Sequence, residues 1–177
     1  MKTFLPPSFE AEAAYAIQWK PDGQFVGLDF GCGDRKSSPY MIGIDHHEGQ
    51  WLTVAGEPHN ATPDVVADLR NLPYPDESVD FITSIHSLEH FTDPVALLTE
   101  WKRVLKIGGR IVIIVPDWRH TFTCENDDQK ADPEAHKMDY TLPVLVDVLN
   151  RVPGFEILQA SIVCNQWPIG AVVEKTK

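Results

Sequence analysis

The sequence predicts an α/β fold built on a mostly parallel sheet, and three observations carry that prediction. Short apolar runs recur between turns, and several are apolar without alternation, as strands covered by helices on both faces should be. A capped amphipathic helix leads through a glycine turn into the most apolar run of the chain, the pattern of a βαβ unit. An early strand also runs directly into Gly31-Cys32-Gly33, a turn whose glycines allow positive φ and a close approach to a ligand.

Residues 8–19 read as a short helix, with Ser8 as N-cap and Phe9, Ala13, Ala16 and Ile17 on one face. Pro21-Asp22-Gly23 stops it. Strand candidates follow at Phe25–Phe30, Tyr40–Ile44, Asp64–Ala67, Val79–Ile85 and Arg110–Val115. The clearest helix is expected over Asp93–Ile107. Asp93 is its N-cap, Pro94 takes the first helical position, and Val95, Leu98, Trp101 and Leu105 form one stripe before Gly108-Gly109. A further helix around Leu142–Arg151 leads through Pro153-Gly154 to strands at Phe155–Val163 and Gly170–Val173. The segment 117–140 is polar, carries Glu125-Asn126-Asp127-Asp128 and shows no period. Leaving the carboxyl end of a strand, it is expected to be a substrate-side lid.

The chain's 177 residues suit a single domain, with residues 1–23 as an N-terminal helical cap, and can bury a core without disulfide or metal support. Hydrophobic residues at 43% and charged residues at 23% exclude wholesale disorder. Fifteen Lys and Arg stand against 26 Asp and Glu, a formal charge of −11, so no direct nucleic-acid or membrane binding is expected. Cys32, Cys124 and Cys164 form no CxxC pair, which points to reduced thiols and a cytoplasmic protein. The opening MKTFLPPSF breaks at Pro6-Pro7 before an apolar stretch of signal-peptide length, and no run approaches the roughly 18 apolar residues of a spanning helix. Oligomeric state is not legible.

The strand that ends in Asp29-Phe30-Gly31-Cys32-Gly33 and the next, ending in Asp45, suggest a nucleotide site, because an acidic strand tip accepts ribose hydroxyls. A dinucleotide fingerprint would need a third glycine where Lys36 stands, and an acidic residue roughly 20 positions on, so a nicotinamide cofactor fits poorly.

Taken together, LDFGCG, GID, VVADLRNLPYPDESVDFITSIHSLEHF and VLKIGGRIVIIVP resemble, in order and spacing, the class I S-adenosylmethionine-dependent methyltransferases of the small methyltransferase-domain group. The resemblance spans most of Phe25–Pro116 and implies a Rossmann-like, doubly wound, mostly parallel sheet of about seven strands. It implies S-adenosyl-L-methionine as cofactor, with Asp29, Gly31, Cys32 and Gly33 along its methionine part, Asp45 on the ribose and His46 beside the adenine. Asp68 would accept from the adenine amino group, Leu69 would pack on the ring, and Ser84 and His86 would face the methionine amine and the methyl. One departure is plain: only Asp34–Pro39 separate Gly33 from Tyr40, where the family usually has a helix. Residues 46–63, polar and broken by glycine and proline, are expected to be loop in place of another.

Methyl transfer to an oxygen or nitrogen asks for alignment and sometimes a base. His86 is the expected catalytic base, ahead of Glu89, His90 and His120; Asp80 reads as a turn or strand-edge residue. His46, His47, His59, His120, Cys124 and His136 show no ligand spacing, so no metal is expected. The acidic balance favours a small-molecule or sugar-like acceptor. The alternatives are a catalytically silent cofactor-binding or scaffold protein of the same fold, or a methyltransferase acting on protein or RNA.

Overall fold

The structure is a computed structural model that describes residues 8–52, 58–120, 136–164 and 168–177. Seven strands form one sheet. They are β1 (Gly27–Phe30), β2 (Ile42–Asp45), β5 (Val65–Val66), β6 (Val79–Ile85), β7 (Leu105–Pro116), β8 (Phe155–Ile162) and β9 (Pro168–Lys175). Their order is β5-β2-β1-β6-β7-β9-β8. The first five run parallel, while β9 lies antiparallel to both β7 and β8. The expected α/β architecture with a mostly parallel sheet is therefore present.

Why the strand runs lack alternation is visible in β7. Ile111, Ile113 and Val115 face the larger core, with α2 (Pro94–Val104) and α3 (Leu142–Asn150), while Val112 and Ile114 face a smaller one under α1 (Phe9–Ile17). Both faces of the strand are covered, so both must be apolar. On the larger side the Phe30 and Trp101 rings stand 4.9 Å apart, and Trp101 Nε1 donates to the Leu69 carbonyl at 3.1 Å. No helix of the described residues is long and apolar enough to cross a membrane.

The helix starts follow their local chemistry. Ser8 Oγ accepts from Ala11 N, Asp93 Oδ1 from Ala96 N at 3.0 Å, and Thr141 Oγ1 from Val144 N. The end of α2 does not follow. The helix stops at Val104, not Ile107, because Glu77 N and Ser78 N donate to the Arg103 and Val104 carbonyls at 3.0 and 2.9 Å. Leu105 is already extended and pairs with Val79. Gly108, at φ +78, then marks an irregularity within β7 instead of a helix cap. The first strand begins at Gly27 and the second at Ile42, both later than the sequence predicts, and Tyr40 is 82% exposed. In place of the expected loop, residues 46–63 carry an antiparallel pair, β3 (Gly49–Leu52) with β4 (Pro58–Ala61). Most of the expected lid, 121–135, lies outside the described residues; its two ends meet where Asp117 bridges Tyr140.

Between β1 and β2 no helix intervenes: residues 31–41 lie directly on the sheet. A Cβ at Gly43 would come within 2.8 Å of Cys32 Sγ and 2.9 Å of Lys36 Cδ, and one at Gly27 would strike the Met41 thioether and the Phe25 ring. The link reaches across because the strands beneath it are bare. Lys36 runs its stem over Gly43 and ends on Asp64 Oδ2 at 2.7 Å, an oxygen that also accepts from Gly43 N at 2.7 Å. Since Met41 is buried, Gly27→Ala should lower the unfolding free energy by about 2 kcal/mol through overpacking. Urea melts would show the shift, and an unchanged midpoint would mean that Met41 swings aside freely.

Candidate functional site

The carboxyl ends of β1, β2 and β6 converge on one edge. Gly31 and Gly33 both have positive φ, +65° and +54°. Gly31 is confined a second time, because a Cβ there would run into Ser87 Oγ, which donates to the Phe30 carbonyl at 2.9 Å. Gly33 differs: a Cβ there would meet nothing within 4 Å among the described residues, so its backbone borders open space among them. Gly33 N donates to Asp45 Oδ2 at 3.0 Å and His47 N to Asp45 Oδ1 at 3.1 Å. The carboxylate is thus oriented by the turn it faces, with lone pairs left to accept more. His46 Nδ1 lies 3.3 Å from the same carboxylate, and its ring packs against His47 at 4.0 Å. Cys32 is buried between these turns. Burial first, then the charges of Asp29, Asp45 and Asp64, push its thiol up to about 12, so it is no nucleophile.

Asp29 is buried behind the turn. Thr83 Oγ1 donates to its Oδ1 at 2.7 Å, Ser37 N donates to its Oδ2, and the Ser37 and Thr83 hydroxyls stand 2.9 Å apart. Burial outweighs these hydrogen bonds and raises its pKa. Ser84, one residue on from Thr83, is fully buried and its Oγ has no hydrogen-bond partner among the described residues. Of the adenine-side residues, Asp68 is gripped bidentately by Arg70, with Nε–Oδ1 at 2.9 Å and Nη2–Oδ2 at 2.8 Å, and that hydrogen bonding lowers its pKa. Leu69 is buried in the larger core. Asp80 accepts from Val26 N at 2.9 Å and pairs with Lys106 Nζ at 2.7 Å, a structural role at the amino end of β6.

His86 leaves β6 at φ +55, a conformation uncommon for a residue with a Cβ. Its Nε2 is 2.9 Å from Glu12 Oε1, and its Nδ1 is 3.6 Å from Glu89 Oε1, within ion-pair reach but beyond a hydrogen bond. Both carboxylates are almost fully buried. Burial opposes charge on His86, yet the hydrogen bond to Glu12 and the charges of Glu12 and Glu89 outweigh it and push its pKa up to about 10. The expected proton acceptor thus stands between two buried carboxylates, which favour its protonated form. Glu12 was not anticipated, although it sits on the stripe of Phe9, Ala13 and Ala16, where a carboxylate signals a buried partner. Ser37, Thr83 and Ser87 were also missed, since only the fold brings them to Asp29 and Gly31.

At the other end of the sheet, an open groove of about 670 Å³ is lined by Lys20, Gly23, Phe25, Val26, Tyr40 and Asp80. It lies at the amino ends of β1 and β6, away from the glycine turn. Ligands of open α/β sheets bind beyond the carboxyl ends, so the glycine edge is the candidate site.

A parallel sheet in this order, with a glycine turn and an acidic second-strand tip, defines a nucleotide-type binding edge. Residues 28–113 match the family described as a methyltransferase domain, and over that span the chain is similar to S-adenosylmethionine-dependent methyltransferases. A ubiquinone/menaquinone biosynthesis C-methyltransferase of Geobacter sulfurreducens is 30% identical over 115 residues, 58% of this chain and 45% of that protein. The chain therefore matches less than half the length of that relative. An S-adenosylmethionine-dependent methyltransferase from Mesorhizobium loti superposes with a TM-score of 0.69 at 15% identity, covering 93% of this chain and 98% of the other. A 1,6-didemethyltoxoflavin-N1-methyltransferase of Burkholderia thailandensis gives 0.67 at 15% identity, covering 96% and 78%. At such identities the structures show the shared fold. The glycine edge fits the class's cofactor: Gly33 borders open space, Asp45 offers an oriented carboxylate, and Ser84 a buried hydroxyl without a partner.

Removing His86 would leave Glu12 and Glu89 buried without their countercharge. His86→Ala should therefore lower stability by about 3 kcal/mol, because a broken buried pair strands its partner. Adding Glu12→Gln to that variant should restore part of the loss in a double-mutant cycle. Additive effects of the two substitutions would show that no coupled pair exists.

Proposed function

We propose that this chain catalyses methyl transfer from S-adenosyl-L-methionine to a small-molecule acceptor, in the cytoplasm. The observation that carries the reading is the Gly33–Asp45 pairing, which fixes an acceptor-only carboxylate against open space at the carboxyl edge. The cofactor supplies the sulfonium methyl, the electrophile of the reaction. Asp45 would accept the ribose hydroxyls, with His46 beside the base. Gly31, Cys32 and Gly33 would let the backbone close on the methionine part, and Ser84 would offer its hydroxyl near the amine. Asp29 supports that turn from behind through Ser37 and Thr83. Asp68 and Leu69 would border the adenine, Asp68 after sharing its carboxylate with Arg70.

The protein's share in the chemistry is alignment. His86, held as a cation by Glu12 and Glu89, orients the strand tip and takes no proton at neutral pH. An acceptor that is nucleophilic without a protein base at His86 suits this arrangement. The relative named a C-methyltransferase supports that choice. The net charge of −11 supports a small molecule over RNA.

Calorimetric titration with S-adenosylhomocysteine should give one micromolar site, with no heat from NAD. Asp45→Ala should weaken that binding by roughly 1.5–3 kcal/mol, the worth of charge-assisted hydrogen bonds. A dissociation constant unaltered by Asp45→Ala would remove Asp45 from the site, and absence of binding by the parent protein would overturn the reading.

A further inference from the structure

Glu89, His90 and His136 meet beside the tip of β6, and none of them is placed on the cofactor or the acceptor. Glu89 is 1% exposed, and neither of its carboxylate oxygens has a hydrogen-bond partner among the described residues. His86 Nδ1 approaches it only to 3.6 Å, beyond a hydrogen bond, so a buried carboxylate is left short of partners, which is costly and favours a further cation. His90 Nε2 and His136 Nε2 each lie 4.0 Å from Glu89 Oε1, too far for hydrogen bonds. His90 Nδ1 is also buried without a partner. One donor atom from each of the three residues lies within 4.8 Å of the other two.

The backbones that carry these donors are already fixed. The 3₁₀ turn Leu88–His90 holds Glu89 and His90 side by side, with His90 N donating to the Ser87 carbonyl at 3.2 Å. The segment carrying His136 is clamped to the same place, since Lys137 N and Met138 N donate to the Glu89 carbonyl at 2.7 and 3.1 Å. The His90 and His136 rings meet edge to face at 5.2 Å. In a tetrahedral zinc site with bonds of about 2.0–2.2 Å, donor atoms stand roughly 3.4 Å apart. Side-chain rotations of about an ångström would close the present cluster onto an ion of that size. His86 would keep its 2.9 Å contact with Glu12 while Glu89 turned to the ion.

We propose that Glu89, His90 and His136 form a binding site for a divalent transition-metal ion of the zinc class. Two imidazoles and one carboxylate are a borderline-soft set that suits such an ion and leaves a coordination position for water. Bound there, the ion ties the segment at His136 to the carboxyl edge of the sheet. The site stands independently of the methyl-transfer reading, because no cofactor residue belongs to it.

The test is titration of the full chain, tag removed and stripped with chelator, with Zn²⁺ by calorimetry and with Co²⁺ by visible absorption. One equivalent should bind, with a d–d band of tetrahedral or five-coordinate cobalt. His136→Ala and Glu89→Gln should each weaken Zn²⁺ binding at least tenfold and bleach that band. His136 is partly exposed, so His136→Ala should keep the metal-free melting temperature and separates ligand loss from misfolding should Glu89→Gln fail to fold. Absence of binding by the parent chain overturns the proposal, as does Zn²⁺ affinity unchanged in His136→Ala.

Discussion

Everything at the carboxyl edge depends on how β1 and β2 are joined. Parallel neighbours usually need a crossover of a dozen or more residues, with a helix in it. Here residues 31–41 make the crossing without one and lie flat on the strands, which is possible because Gly27 and Gly43 present no side chain to Met41, Cys32 and Lys36. The link is locked at Asp29, whose buried carboxylate takes Ser37 N from the link and Thr83 Oγ1 from β6. That one carboxylate joins the link and β6 to β1. The glycine turn, Asp45 and the open space beside Gly33 are positioned as a result.

The second organising feature is electrostatic. Glu12 comes from α1, His86 from the end of β6, and Glu89 from the turn that follows. Two buried carboxylates around one imidazole fasten the N-terminal helix to the sheet edge and favour the protonated ring. The same Glu89 oxygen that approaches His86 also lies 4.0 Å from His90 and from His136. It is therefore the point at which the strand tip, the helix cap and the segment around residues 136–138 meet.

What was legible in the sequence is what short-range chemistry decides. The boundaries of Val79–Ile85 and the start at Asp93-Pro94 follow from an unbroken apolar run and from a cap. Gly31, Gly33 and Asp45 were recognisable because the turn after a strand has a fixed chemistry. The end of α2 was not legible, because backbone groups of Glu77 and Ser78 close it from across the fold. The β3–β4 pair escaped notice because polar, glycine- and proline-flanked strands carry no apolar period. The contact of His86 with Glu12, 74 positions away in the chain, was not legible, because only the fold brings α1 to the tip of β6. Arg70, by contrast, stands two residues from Asp68 and its grip could have been anticipated.

The central claim is that a helix-free link still builds a cofactor pocket at the carboxyl edge of the sheet. Backbone amide shifts followed by NMR during titration with S-adenosylhomocysteine test it most directly. The account predicts saturable shifts at Gly31, Gly33, Asp45 to His47 and Ser84, with Gln24 to Val26 and Asp80 unmoved. Shifts confined to the groove around Phe25, Tyr40 and Asp80, or none anywhere, would contradict it.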